Sequence, residues 1–360
     1  MLRMKPMLRS FLALVITITL VCALMLATGD NPIIAMRELV IGAFGSVSNL
    51  AATLSNATPL IFTGLAVAVA FRAGVINIGG EGQMAVGAIA AALAGIYIKG
   101  LPGFLHKFVA LFVSLLFGML WAFIPGVLMI KFNTNETVTT IMLNYVATLL
   151  CDYLVNYPFR KPGAPLGFTH NVLSTARFSP LMPLTRLNTT FILGVAIAIG
   201  LALMYRYRSI GYEWKVLGLN RRFAKYMGFK VDRLRLLALC LSGGLAGLGG
   251  AAVVLGIQYR YVQGLSAGYG FDGVLVSLMA ANHPVGVILV AILFGALKAG
   301  GLQMEAATSI PCELTQVLQS VILLFMAAQI AMRKIVGTTP TLVTDQSSGT
   351  DVKGEQVSNV

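Results

Sequence analysis

The stretch RYRSIGYEWKVLGLNRRFAKYMGFKVDRLR, residues 206–235, decides how the rest of the chain is arranged. It carries nine Lys/Arg (Arg206, Arg208, Lys215, Arg221, Arg222, Lys225, Lys230, Arg233 and Arg235) against two acids, Glu213 and Asp232, and is flanked by apolar segments long enough to cross a bilayer. Cations gathered at the end of a membrane span stay in the cytoplasm, so this loop orients every other segment. Trp214, Val216, Leu217, Phe223, Ala224, Tyr226 and Met227 are interleaved with the charges. Asn220 before RRFAKYM reads as the N-cap of a two-turn helix that ends near Gly228. Two readings of that short amphipathic helix stand open. One is docking into a groove of another protein; the other is positive-inside anchoring, with the helix lying on anionic lipid.

The 360 residues are 57% hydrophobic and only 11% charged, and the mean hydropathy is +0.84. Such a composition excludes an ordinary soluble domain and defines an integral membrane protein. A net charge of +13 would suggest nucleic acid in a soluble chain. Here the cations sit at span ends and inner loops, where orientation explains them. The four cysteines, Cys22, Cys151, Cys240 and Cys312, have neither metal nor redox spacing and read as packing residues.

Working outward from the loop, hydropathy gives ten spans. Upstream they are 11–27, 59–71, 85–98, 108–130, a fifth ending near Asn156, and 189–205; downstream they are 236–257, 265–281, 285–300 and 314–332. The first is read as an uncleaved helix, since its apolar run exceeds a signal core and no small-residue cleavage site follows. Residues 30–56 are external, with a mildly amphipathic piece, 39–54, expected along the membrane surface. The proline-rich segment 157–188 is an external loop, and Asn282, His283 and Pro284 make a tight inner turn. Both termini are then cytoplasmic. By this assignment 17 of the 26 basic residues face inward, eight face outward, and Lys298 is left inside a span. Spans two to five and seven to ten run in opposite senses, which an inverted repeat would produce. The expected fold is all-α and polytopic. A transmembrane domain covers 1–335, with 206–235 as its cytoplasmic loop, and a polar, disordered cytoplasmic tail covers 336–360.

The least usual membrane-level sequence is AGVINIGGEGQM, residues 73–84. Gly74, Gly79, Gly80 and Gly82 oppose a regular helix there, and Asn77, Glu81 and Gln83 add polar side chains at the break. Irregular backbone at that depth belongs in a protein interior or beside a water-filled cavity. It reads either as a pathway element or as a cytoplasmic hairpin whose glycines let two helices pack. Asn144, in the fifth span, and Asp272, in the eighth, are further polar residues at membrane depth. Asn135 or Thr134 reads as an ordinary cap of the fifth span. His106, His170 and His283 are far apart and read as solvated or interfacial. Neither a phosphate loop of the GxxxxGK[ST] type nor a HExxH or GxSxG motif occurs, so no ATP-binding or hydrolytic site is built by this chain.

Three stretches together, AGVINIGGEGQMAVGAIAA (73–91), TNETVTTIMLNYVA (134–147) and GYEWKVLGLNRRFAKYMGFKVDRLRLLALCLSGGLAGLGGA (211–251), resemble permease subunits of bacterial ABC importers. The likeness is to the branched-chain amino acid and simple-sugar permease family, in particular its nucleoside branch with lipoprotein receptors of the basic membrane protein type. It implies a type II importer with two permeases, guessed to be a heterodimer, an ATPase subunit with two nucleotide-binding halves, and an extracytoplasmic substrate-binding lipoprotein. It further implies that ATP is hydrolysed by that partner, so this chain is not itself an enzyme and needs no cofactor or metal. Carried onto this sequence, Gly211, Gly218, Asn220, Ala224, Tyr226 and Gly228 match the ATPase-coupling loop. Trp214, Lys215, Arg221 and Arg222 make the loop bulkier and more basic than the family's, which would suit an acidic ATPase surface. The expected pathway comprises Asn77, Glu81, Gln83, Asn144 and Asp272, for a nucleoside or related ribosyl compound. Ribose, another simple sugar or a branched-chain amino acid remains the alternative. An ion-coupled secondary transporter is the rival of another class, with the isolated carboxylates Glu81 and Asp272 as its slender support.

Overall fold

The computed structural model describes residues 31–163, 166–266 and 268–308, with isolated positions at 26, 316, 317 and 320. The expected first and tenth spans and the tail at 336–360 lie outside the described residues, as do Cys22 and Cys312. Within them the chain is helical, in the order α1 (Pro32–Phe44), α2 (Val47–Arg72), α3 (Gly80–Tyr97), α4 (Gly103–Lys131), α5 (Glu136–Asn156), α6 (Thr189–Tyr207), α7 (Ser209–Leu219), α8 (Arg221–Tyr226), α9 (Val231–Val253), α10 (Tyr269–Met279) and α11 (Pro284–Ala307). Six of these (α2, α4, α5, α6, α11, and α9 with its π-helical extension to Gln258) are long and apolar enough to cross a membrane. Helices α3 and α10 occupy the expected third and eighth spans, but both start inside the helical layer.

The small-residue string 242–252 explains why α9 sits at the centre. Every residue from Ser242 to Val253 is buried, in contact with α2, α3 and α4. A methyl on Gly247 would lie 2.5 Å from the Ser114 carbonyl oxygen of α4, and one on Gly87 of α3 would lie 2.4 Å from the Gly247 Cα. With lipid tails as apolar as leucine, close backbone packing of this kind is what holds membrane helices together. The Ser114 hydroxyl fastens the junction, donating to the carbonyls of Gly87 at 2.9 Å and Gly247 at 2.7 Å.

Three expectations are corrected. The surface-lying piece at 39–54 is instead the end of α1 and the start of α2. Helix α1 packs on α11, with Ala35, Leu39, Gly42 and Ala43 buried, because Gly300 lets α11 come against the Leu39 carbonyl. The break ends at residue 79: Gly80 and Gly82 are helical, and the missing side chain of Gly82 admits Ala147 and Asn144 of α5. His106 is buried, not solvated, its ring reaching Thr175 Oγ1 at 2.8 Å and the Ala94 carbonyl at 3.3 Å.

The tight turn at 282–284 forms, with Ala281 and Asn282 at positive φ. Asn135 caps α5 by accepting from the amides of Thr137 and Val138.

Candidate functional site

The amides of Ala73, Gly74 and Val75 still bond back to the carbonyls of residues 69–71 at the end of α2, and beyond them side chains supply partners for the backbone of Ile78 and Gly79. Asn144 of α5 bridges the break: its Nδ2 donates to the Ile78 carbonyl at 2.9 Å, and its Oδ1 accepts from the Gly82 amide at 2.9 Å. The Ile78 amide reaches Thr140 Oγ1 at 3.4 Å. Asn77 turns inward: its Oδ1 accepts from the Gly79 amide at 2.8 Å, and its Nδ2 donates to Gln83 Oε1 at 2.9 Å and to Ser242 Oγ of α9 at 2.8 Å. Asn77, Gln83, Asn144, Thr140 and Ser242 are all buried. Sequence reading singled out three of them; Ser242 and Thr140 carry no signal, being common residues at ordinary helical positions.

Glu81 lies in the first turn of α3. Its Oε1 accepts from the Gly268 amide at 2.9 Å and its Oε2 from the Gly270 amide at 2.8 Å, so one carboxylate holds the start of α10. Gly270 is needed there, since a methyl on it would sit 2.2 Å from the Glu81 nitrogen. Two helix N-termini, whose partial positive charges would repel, therefore meet around one carboxylate. Asp272, one turn into α10, pairs with Lys298 of α11 at 2.6 Å. The five expected pathway residues thus form one region, with Asp272 on its α10 side. Lys298 was visible in the sequence only as a cation stranded in a span.

The inner end of the break touches the basic loop directly. Gly218, near the end of α7, lies against the backbone of Arg72 and Gly74: a methyl there would be 2.3 Å from the Arg72 carbonyl oxygen. Gly74 has φ +69 and faces the Gly218 Cα. Helix α7, which reading the charges as a loop overlooked, is anchored by Trp214. That indole is buried, donates to the Leu234 carbonyl of α9 at 3.1 Å, and packs edge-on to Tyr205, which in turn lies under the Arg72 guanidinium at 4.2 Å. Trp214 is therefore part of this chain's own core and does not contribute bulk to a docking face.

The remaining loop residues divide by where they point. The Asn220 side chain caps α8 by accepting from the Phe223 amide at 3.0 Å, and Gly228 follows at φ +81, as the sequence predicts. Gly211 and Ala224 are buried, Gly211 where α6 turns into α7. Tyr226 is 89% exposed, in company with Tyr212, Leu219, Phe223 and Met227. Arg235 of α9 pairs with Glu136 of α5 at 3.4 Å, tying the inner ends of those helices together.

A helical membrane protein with an irregular, polar link between α2 and α3 and an apolar-studded basic loop packed against it has the parts of a transport permease. The comparisons are more specific. The family model described as branched-chain amino acid transport system, permease component, matches residues 49–327, and the chain belongs to that family: it is a transport subunit of an ABC-type system, not an enzyme. It is 33% identical to the guanosine ABC transporter permease protein NupP of Bacillus subtilis, over 93% of this chain and 97% of that one. With the nucleoside ABC transporter permease protein NupB of Lactococcus lactis the identity is 30%, over 98% of each. A glucose ABC transporter permease protein of Haloferax volcanii is 30% identical over 84% of this chain and 82% of its own. Among solved structures, PsaBC from Streptococcus pneumoniae in complex with Fab has a TM-score of 0.45 at 17% identity, covering 82% of this chain and 94% of that one.

Proposed function

We propose that the chain is the membrane permease of an ATP-driven importer that passes nucleosides or related ribosyl compounds inward. A partner ATPase with two nucleotide-binding halves would sit beneath the basic loop, a second and different permease beside it, and a substrate-binding lipoprotein outside. Near-full-length similarity to guanosine and nucleoside permeases supports the substrate class, and the presence in Bacillus subtilis of a second, different guanosine permease protein, NupQ, beside NupP favours two unlike permeases. In this reading ten spans keep both termini in the cytoplasm, within a permease domain at 1–335 and ahead of a cytoplasmic tail at 336–360.

The observation that carries the mechanism is the seating of Gly218 on Arg72 and Gly74. Tyr226, Phe223 and Met227 present an apolar face to the ATPase. When that subunit closes and shifts α7 and α8, residue 218 pushes on the segment 73–79, which ends at Asn77 and Glu81 beside the pathway. Uptake reflects differential affinity of the ATPase for the two arrangements. Substrate passes by polar and backbone contacts near Asn77, Glu81, Gln83, Asn144 and Asp272, with no covalent step.

The test is ATP-driven nucleoside uptake by the complex in proteoliposomes, scored with co-purification of the ATPase. Tyr226→Glu is expected to lose the ATPase and with it uptake. Gly218→Val is expected to keep the ATPase and still lose uptake. Nucleoside uptake driven by an ion gradient, in liposomes holding this chain alone, would overturn the reading in favour of a secondary transporter.

A further inference from the structure

Lys298 is the charge that the proposed mechanism leaves unused. It follows Val287, Ala291 and Phe294, all buried, at intervals of four and three and four residues, and so continues the stripe of α11 that faces the protein. The exposed leucines Leu289 and Leu293 lie on the other side of the helix. Yet the Lys298 side chain keeps 24% of its surface exposed, and Asp272, 2.6 Å away, keeps 19%. Its ammonium also stands 4.5 Å from the centre of the Tyr269 ring. An ammonium and a carboxylate left open beside a helix long and apolar enough to cross a membrane face a polar passage or another protein surface, because hydrocarbon would not solvate them.

The neighbours differ in kind. Asn77, Gln83 and Asn144 have their polar atoms committed to one another and to the backbone, and both Glu81 oxygens are taken by Gly268 and Gly270. They hold shape. Tyr269, Asp272 and Lys298 are partly open, and they combine an aromatic face, a carboxylate acceptor and an ammonium with donors to spare.

We propose that Tyr269, Asp272 and Lys298 form a recognition patch for the vicinal diol of a ribosyl compound, resting on the nucleoside reading above. One ribose hydroxyl donates to Asp272, its neighbour accepts from Lys298, and the Tyr269 ring covers the apolar face of the sugar or base. The patch requires two adjacent hydroxyls, so it discriminates ribo- from 2′-deoxyribonucleosides during passage. That step is separate from selection by the external receptor.

The experiment measures maximal uptake of guanosine and of 2′-deoxyguanosine by the complete complex in proteoliposomes. Receptor is held in saturating excess over both, and rates are normalised to assembled complex. Wild type is expected to favour guanosine by about tenfold, the factor for one hydrogen bond to a charged group in a half-open site. Asp272→Asn and Lys298→Gln are each expected to pull the ratio toward one. The apolar pair, Asp272→Leu with Lys298→Met, removes both polar groups together and leaves no unpaired charge between α10 and α11. It is expected to assemble and still to lose discrimination, and it carries the measurement if a single variant fails to assemble. A wild-type ratio retained by the apolar pair would make Asp272–Lys298 a mere staple between helices and overturn the proposal. Failure of wild type to carry either nucleoside would instead refute the substrate reading beneath it.

Discussion

Replacing Glu81 with Gln is the sharpest probe of the junction between α3 and α10, because volume is kept and only the acceptor pattern changes. In the native chain both carboxylate oxygens receive backbone amides, Gly268 at 2.9 Å and Gly270 at 2.8 Å. Hydrogen bonds to a charged group contribute about 1.5–3 kcal/mol each, and an unpaired buried amide costs about 1–3 kcal/mol. Gln retains one carbonyl oxygen and turns an NH2 group toward the other amide. One charged bond is lost, the second becomes neutral, and one N–H faces a donor. Relief of the cost of burying a carboxylate offsets part of this, leaving about 3 kcal/mol against the docked arrangement of α10, roughly a hundredfold in its equilibrium. The readout is hydrogen exchange of the peptide covering 263–275 in the complex in nanodiscs. Exchange at Gly268 and Gly270 should rise by about that factor, while α4 and α9 stay protected. A rise below about fivefold in a normally assembled complex would refute the claim that Glu81 holds α10.

Three further outcomes follow from the packing. Asn144→Asp keeps an acceptor for the Gly82 amide but has no donor for the Ile78 carbonyl; about 1–3 kcal/mol should be lost, seen as a lower midpoint for thermal aggregation in detergent. Trp214→Ala empties a buried site and removes the bond to Leu234, costing about 3–5 kcal/mol. Limited proteolysis of inside-out vesicles should then cut within 206–235 much faster. Gly247→Leu cannot fit within 2.5 Å of the Ser114 carbonyl, so α9 must part from α4. Membrane-inserted, monodisperse protein should all but vanish in fluorescence-detected gel filtration, while Leu289→Ala, at an exposed position, should leave it unchanged.

What the sequence disclosed depended on the range of each interaction. The cap of α8 was legible because Asn220 and the Phe223 amide are three residues apart. Helix α7 was not, since its buried face is Trp214 and Leu217 among charges, and the Leu234 carbonyl that receives the indole lies twenty residues on. The break was located but overextended to residue 84, because a glycine that interrupts a helix and one that admits a neighbour are the same letter. Gly74 has a positive φ, whereas Gly80 and Gly82 are helical. Of the candidate pathway, the polar types were legible. Their pairing was not: Asn77 and Ser242 are separated by 165 residues, and nothing local marks Asp272 as the partner of Lys298.

The side-chain bonds around Ile78 and Gly79 have a mechanical consequence. A backbone segment without helical hydrogen bonds inside a bilayer is tolerable only if each N–H and C=O finds another partner. Here Thr140, Asn144 and Asn77 serve Ile78, Gly79 and Gly82, and Asn77 is fixed in turn by Gln83 and Ser242. Sliding residues 73–79 part-way would leave several of these groups unpaired at once, at about 1–3 kcal/mol each. Intermediate positions are therefore disfavoured, and the segment has reason to move from one fully bonded arrangement to another. In the mechanism proposed above, a network of this kind would turn a graded push at Gly218 into a switch between discrete states, which alternating access requires of an element joining an energy-supplying subunit to a passage. Loosening it with Asn144→Asp should blur that switch, so that ATP turnover continues while less substrate crosses per cycle.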